Sequence, residues 1–245
     1  MNKLIGAAFL LSMMVLGGCA TTPQPPVTLA ADHWQQPGQR VGIYVAPIKE
    51  PEFYMEGDVR LLDYAINAAV MAPVMGHFSS LDLSDYTTLS DEIRQYLEGE
   101  GVIVRVLAED AGIDDAADFP DPNKEDTLYF ADKDFTRLKS RFGIDQLLLI
   151  KPKRVGVARP YHSFVPLSNP RAVFELNGEL VDLNDNRLLW FAHINQAQHV
   201  RGNWDEPPVF PGLTNGFYAA LESAKQEVHE HLHRRMEQQA KVEPE

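Results

Sequence analysis

His229, Glu230 and His233 have the spacing of the H-E-x-x-H motif of zinc-dependent hydrolases. On a helix, positions four apart share a face, so the two imidazoles could bind zinc while Glu230 acts as general base. A catalytic zinc also needs a third protein ligand, and only twelve residues follow His233. The competing interpretation is an exposed helix face on which Glu230 pairs with Arg234. We favour this second interpretation and expect no metal or other cofactor.

The other catalytic templates are absent from the sequence, which has no G-x-S-x-G elbow, no Walker loop and no G-x-G-x-x-G. Lys and Arg number 22 against 35 Asp and Glu, a net charge of −13. Nucleic-acid readers need a clustered basic face, so this balance argues against such a partner. The single cysteine excludes an internal disulfide. We therefore predict a protein that is not an enzyme, with an envelope hydrolase as the alternative.

Two loops, at residues 160–166 and 202–212, carry aromatic side chains suited to a protein partner. Loops held by a rigid scaffold often perform recognition, and aromatic residues are frequent in interface centres. The alternative is that these side chains fold back onto the sheet. The candidate partner-binding residues are Tyr161, His162, Phe164, Trp204 and Phe210.

The first nineteen residues have the layout of an export signal, with a charged start, an apolar run from Leu4 to Leu16 and small residues before Cys19. The run is too short for a transmembrane helix, which needs about 20 residues. The sequence Leu16-Gly17-Gly18-Cys19 resembles the lipobox of bacterial lipoproteins. In that family the chain is cut before the cysteine, here between Gly18 and Cys19, and the cysteine is acylated. The alternative is an ordinary secretory signal with a coincidental cysteine.

The lipobox resemblance implies a signal peptide over residues 1–18 and membrane attachment through several acyl chains. Ala20, rather than Asp, follows the cysteine, and among such lipoproteins this indicates the outer membrane with the domain facing the periplasm. Residues 19–40 are rich in proline and glutamine, a composition that predicts an extended tether. Such a tether could hold the domain up to about 60 Å from the bilayer. Trp34 is expected to pack on the domain.

Hydrophobic periodicity predicts one α/β domain over residues 41–235, followed by a polar tail at 236–245. The element order β-α-α-β-α-β-β-β-α favours a mixed sheet of about five strands with helices packed on it. Ala108 to Thr127 is expected to be a solvated acidic loop rather than a calcium site, because the EF-hand pattern is missing. The predicted strands are 41–47, 102–107, 146–158, 172–183 and 187–200, and the predicted helices are 58–76, 89–97, 132–142 and 214–235.

For the helix at 58–76 and the strand at 102–107, the sequence also predicts how each element ends or where it lies in the fold. In the helix at 58–76, we expect Pro73 and Gly76 to end the helix and a stripe of apolar residues to face the sheet. The continuous apolar run from Val102 to Leu107 favours a central strand. The expected core stripe of the helix is Leu61, Leu62, Ala65, Ala69 and Val70.

The pattern also resembles a group of periplasmic proteins that includes the peptidoglycan-synthase activator LpoB, the N-terminal domain of TolB and the periplasmic part of CsgG. Three segments carry this likeness: an early strand ending in Ala-Pro at 41–47, a helix–Gly–strand step at 142–149 and a hairpin at 181–190. The resemblance implies a binding scaffold that docks an envelope protein or self-assembles. We therefore expect an adaptor or accessory subunit of an envelope assembly, with an oligomeric secretion accessory as a further alternative.

Replacing Cys19 by Ser removes the predicted acyl acceptor. Because buried acyl chains hold the protein in the membrane, we expect the Cys19→Ser variant to leave the membrane fraction and to lack the mass of the acyl groups. Flotation of cell envelopes and intact-protein mass spectrometry measure the two effects. Ala20→Ser is the matched control and should stay in the membrane. A Cys19→Ser variant that still floats with the bilayer would contradict lipid anchoring.

Overall fold

A computed structural model describes residues 23–120, 129–200 and 203–233. The predicted signal peptide, Cys19 and the tail at 236–245 lie outside the described residues. The strands are β1 (Arg40–Val45), β2 (Glu52–Asp58), β3 (Ile103–Val106), β4 (Gln146–His162), β5 (Val165–Pro166), β6 (Arg171–Asp182) and β7 (Leu188–His199). The helices are α1 (Leu61–Phe78), α2 (Ser84–Thr87), α3 (Leu89–Gly99), α4 (Thr136–Phe142) and α5 (Pro211–Leu232).

The described strands form one mixed sheet with the path β3-β1-β4-β6-β7. β1 is parallel to both β3 and β4, whereas β6 is antiparallel to its two neighbours, β4 and β7. This confirms the predicted mixed α/β architecture. The sheet has seven strands rather than about five, because the sequence analysis missed β2 and the two-residue β5.

β4 is long enough to pair with two different strands along one edge. Its first residues, from Gln146 to Ile150, lie beside β1, and its last residues, from Gly156 to His162, lie beside β2. Leu147 to Ile150 are all fully buried, because both faces of the sheet are covered there. The antiparallel pairing with β6 spans almost the whole strand.

The two faces of the sheet carry separate cores, as expected from the alternation of side chains along a strand. Leu148 and Ile150 point into the first core, which contains the buried residues of α1, α3 and α5. Leu147 and Leu149 point into the second core, which contains α4 and buried residues of the segment 107–135. Within the described residues, no helix is both long and apolar enough to span a bilayer.

Most helices and strands follow the predicted bounds closely. α3 buries Leu89, Ile93 and Leu97 as expected, and Gly143 takes the left-handed conformation that ends α4. The predicted β6–β7 hairpin turn also forms, and Asn186 there has a φ of 67°. The buried residues of α5 recur at helical spacing and include Phe217, Leu221, Ala224, Val228 and Leu232.

The predicted central position of the strand at 102–107 is wrong. β3 pairs only with β1 in the described sheet and therefore forms its edge. Ile103 and Val106 are exposed there. An edge strand can have the same continuous apolar sequence as a central strand. The sequence alone therefore does not distinguish the two positions.

The first helix differs from its prediction in both its bounds and its buried face. α1 starts after Arg60, whose backbone N–H donates to the Asp63 carboxylate, and it continues past Pro73. Pro73 and Ala69 are both exposed, so water can hydrate the Ala69 carbonyl that proline leaves unbonded. The predicted core stripe of Leu61, Leu62, Ala65, Ala69 and Val70 faces outward. The observed buried stripe is Asp63, Asn67, Met71, Val74 and Phe78.

Much of the predicted tether is part of the domain. Val27 pairs with Phe191 of β7, and Trp34 is buried with its indole N–H donating to the Leu232 carbonyl at 3.0 Å. The side chains of His33 and Gln146 form a hydrogen bond, with 2.9 Å between Nε2 and Oε1. The described residues 27–39 therefore cannot be an extended spacer, because apolar contacts and hydrogen bonds fix them to the sheet. The expected packing of Trp34 is confirmed.

Gly156 allows β2 to approach β4. Its φ is +141°, and a Cβ at this position would lie 2.1 Å from the Glu52 carbonyl oxygen. We expect Gly156→Ala to lower the free energy of unfolding by about 2–3 kcal/mol through backbone strain and the steric clash. Urea denaturation measures the change. Gly99→Ala, where a Cβ meets nothing within 4 Å, is the matched control and should be close to neutral. Equal stability of the two variants would contradict the close approach.

Candidate functional site

The candidate site is the tip of the hairpin formed by β4 and β5. β4 continues through Pro160 and Tyr161, turns at Ser163 and returns along β5, which pairs with Tyr161 and His162. Ser163 adopts a φ of 58°, which tightens the turn. Sequence reasoning assigned this stretch to a loop, because prolines are unfavourable within a central strand. The prolines are tolerated since the pairing here is short and lies at the end of the sheet.

Hydrogen bonds brace this hairpin against its neighbours. The Ser163 N–H donates to the Asp58 carbonyl at 2.7 Å, and the Asn67 side chain on α1 donates to the Ser163 carbonyl at 3.3 Å. Behind the tip, the Arg159 side chain donates to the Ser168 carbonyl at 2.9 Å. The hairpin is thus tied to β2, to α1 and to the chain that follows it.

The braced tip holds three large apolar side chains in solvent. Phe164 is 59% exposed and Leu167 is 64% exposed, with Val165 between them about half exposed. We call Phe164, Val165 and Leu167 the hairpin tip. Of the predicted partner-binding residues, Phe164 belongs to it and His162 is exposed beside it. Leu167 is not among the predicted partner-binding residues, although its position between Pro166 and Ser168 marks it as part of the same turn region.

Two of the predicted partner-binding residues are core residues instead. Tyr161 is 2% exposed and packs edge-to-face on Phe53, while Phe210 is 5% exposed and lies beside His77. Both side chains point into the domain although neighbouring residues are exposed, so they cannot contact a partner at the surface. Trp204 is half-buried, with the Arg159 guanidinium 4.7 Å from its ring. Of the two aromatic residues of this loop, Phe210 therefore belongs to the core and Trp204 packs on Arg159, whereas Val209 is 54% exposed.

A charged cluster joins β2, β4 and β6. The Glu56 carboxylate accepts hydrogen bonds from Arg154 at 2.8 Å and from Arg171 at 2.7 Å, and Arg154 also donates to Glu175. Burial would raise the pKa of Glu56, but the hydrogen bonds and charges of the two arginines outweigh it and lower that pKa. A carboxylate held ionised by two guanidinium groups is a weak base, so this cluster fits a bracing role better than proton transfer.

The predicted zinc-binding residues are engaged in other contacts. His229 Nε2 lies 3.1 Å from Glu92 Oε2 on α3, and the His233 ring stacks on Tyr96 at 3.6 Å between centroids. Glu230 accepts a hydrogen bond from Gln226 at 2.8 Å, whereas Arg234 lies outside the described residues. Across residues 23–120, 129–200 and 203–233, no group of three or more His, Cys, Asp or Glu side chains could hold a metal ion.

Comparison with protein-family models gives no match, and comparison with curated proteins gives none either. Among solved structures, the chain is similar to protein XCC0632 of Xanthomonas campestris, which is assigned to the DUF330 family, with 16% identity and a TM-score of 0.39. That alignment covers 86% of this chain and 94% of the other.

Two further solved structures are similar at the same low level. A homolog of the neuraminyllactose-binding hemagglutinin from Helicobacter pylori has 12% identity and a TM-score of 0.36, covering 84% of this chain and 87% of that one. Lipoprotein GNA1162 of Neisseria meningitidis has 12% identity and a TM-score of 0.27, covering 75% and 98%. These values carry no argument about function, which therefore depends on the chain's own geometry.

Glu92 connects α3 to α5 and generates a pH-dependent prediction. Burial would raise its pKa, but hydrogen bonds from Lys225, Thr88 and His229 lower it to about 2. A lowered pKa in the folded state stabilises the protein above the ordinary carboxyl pKa, and this contribution is lost as the pH falls from about 4.5 towards 2. We expect Glu92→Gln to lower the free energy of unfolding by about 1–2 kcal/mol at pH 7, allowing for solvent screening of a partly exposed group.

Urea denaturation between pH 7 and pH 2.5 measures this effect. The difference between Glu92→Gln and the unsubstituted protein should stay nearly constant from pH 7 to about pH 5 and then shrink towards pH 2.5. Glu98→Gln on the same helix is the control, because Glu98 makes an exposed pair with Arg94 and should change stability by less than about 0.5 kcal/mol. A Glu92→Gln effect that does not depend on pH would rule out the ionised carboxylate as its cause.

Proposed function

We propose that this chain is a lipid-anchored accessory protein of the bacterial outer membrane that recruits an envelope protein through its hairpin tip. In this proposal the protein has no catalytic activity, and its role is to hold a partner at the periplasmic face of the membrane. The observation that carries the proposal is the exposure of Phe164, Val165 and Leu167 on a hairpin fixed by hydrogen bonds.

The exposed side chains have the chemistry of a protein contact. An aromatic and two aliphatic side chains on one rigid turn lose little conformational entropy on binding, and the buried core of a protein interface is more apolar than its rim. Braces on both sides of the tip keep it in place before the partner arrives. A turn that served only to connect β4 to β6 would gain nothing from three apolar side chains in water.

The proposed anchor leaves the domain close to the bilayer. Cys19 and Val27 are eight residues apart, and Val27 is already paired with β7. Eight extended residues span at most about 28 Å, which is less than half the reach of a tether ending at residue 40. A partner recruited by the hairpin tip would therefore also be held near the membrane. The net charge of −13 opposes adhesion to anionic headgroups, so the acyl groups would be the main attachment.

The hairpin tip can be tested in intact envelopes. A photo-crosslinking amino acid at position 164 should form an adduct of defined mass with one other envelope protein. We expect Leu167→Ala to reduce that adduct several-fold, because the variant removes apolar contact area at the interface. Leu167→Ala should leave the free energy of unfolding within about 0.5 kcal/mol of the original.

The same crosslinker at Ile103 is the control. Ile103 is equally exposed but lies on the edge strand β3, which does not contact the hairpin. Adducts of the same partner from both positions, or no adduct from position 164, would contradict recruitment through the hairpin tip. Purification of the adduct and peptide mass spectrometry would identify the partner.

A further inference from the structure

The first half of α1 has its polar residues turned inward and its large apolar residues turned outward. The polar residues Asp63 and Asn67 are buried, whereas Leu61 is 89% exposed and Val70 is 59% exposed. Ordinary surface helices place apolar residues inward and polar residues outward. In α1 the inward polar side chains are satisfied locally, since Asp63 caps the helix and Asn67 donates to Ser163. The reversal is therefore stable within the chain, yet it leaves apolar groups in water.

The outward face of α1 is continuous and uncharged. No Asp, Glu, Lys or Arg occurs between Tyr64 and Phe78. At 3.6 residues per turn, the exposed residues cover the side of the helix that faces away from the sheet. Large side chains lie near its start, and alanines form its middle. We define the α1 face as Leu61, Leu62, Ala65, Ile66, Ala69, Val70 and Ala72, all of which are exposed.

The size of the α1 face requires an explanation. The largest apolar patch on a typical monomer is about 300–600 Å². The exposed parts of Leu61, Leu62, Ile66 and Val70, with the alanines and the adjoining Tyr64, reach or exceed this range. A stable interface buries about 800 Å² on each partner. The α1 face can therefore supply most of what one protomer contributes to a dimer.

We infer that the α1 face binds a second copy of this chain, with α1 packed against α1 of the other protomer. Two copies that meet through an isologous contact place the same patch on both sides. An uncharged patch meets no like charge in its copy, whereas other contacts between two molecules of net charge −13 would be repulsive. Ala65, Ala69 and Ala72 have only Cβ atoms, so the two helix axes can approach to about 8 Å.

The position of Pro23 and Gln24 argues against the chain's own membrane as the occupant. Pro23 and Gln24 line a cavity of about 660 Å³ together with Asn177 and His193, on the face of the sheet opposite to α1. Because Cys19 precedes Pro23 by only four residues, an acyl anchor would approach the domain from that opposite face. Interfacial helices also carry Lys and Arg along their polar side, which α1 lacks between Tyr64 and Phe78.

The inference concerns a different surface from the hairpin tip. It does not depend on the proposed envelope partner and rests on the proposed function only for the acyl anchor. Sedimentation equilibrium of the full chain in density-matched detergent should give twice the protein mass at micromolar concentration. Ala69→Glu should raise the dimer dissociation constant by about 100-fold or more, because it places two like charges in the contact. Ser140→Glu, on the exposed side of α4, is the matched control and should remain dimeric. Circular dichroism verifies that both variants are folded.

Crosslinking identifies the occupant directly. A cysteine introduced at Ala65, Ala69 or Ala72 should be joined by a bismaleimide to the same position of a second copy in intact envelopes, whereas Ser140→Cys should not. A monomeric mass at all concentrations would overturn the inference. It would also be overturned by crosslinks from α1 to a different protein, or by a lipid-free Cys19→Ser protein that binds neutral phospholipid vesicles through α1. These results leave the hairpin-tip adducts unaffected, so failure of this inference is distinguishable from failure of the proposed function.

Discussion

The length of β4 determines how the rest of the molecule is arranged. A strand of 17 residues extends well past β1, which pairs with its first part only. The remaining edge of β4 would expose unpaired backbone groups, and β2 covers it through a parallel ladder. Because β2 leads directly into α1, the same pairing sets the place of the helix. The hairpin tip also depends on β4, since the turn is the end of this strand.

Both proposed surfaces lie where this extended part of the sheet meets α1. The Asn67 side chain connects them, since it lies on the buried side of α1 and donates to the carbonyl of Ser163 in the hairpin turn. The two surfaces serve different contacts in our account. The hairpin tip offers a small protruding contact for a different envelope protein, and the α1 face offers a broad uncharged contact for a second copy.

A dimer would double the number of lipid anchors and of hairpin tips in one assembly. Two anchors make membrane attachment more stable than one, and two tips raise the apparent affinity for a partner that is itself repeated. The segment 27–39 packs on the sheet and would keep each domain close to the proposed anchor. Partly buried contacts of Glu92 with Lys225 and His229 join α3 to α5 within the scaffold.

The sequence alone determined the features that depend on local pattern. Periodicity predicted α3, α5, β6 and β7 nearly to their ends. Asn186 marks the β6–β7 turn and Gly143 marks the end of α4, because the left-handed backbone at these positions favours those residue types. The lipobox is also a local pattern, and its prediction stays open. Tertiary structure decided which face of α1 is buried, since nearly every residue of that helix is apolar and no stripe stands out. It also decided that Tyr161 and Phe210 are core residues and that Phe164 and Leu167 are exposed, because burial depends on which distant strand or helix lies opposite each side chain.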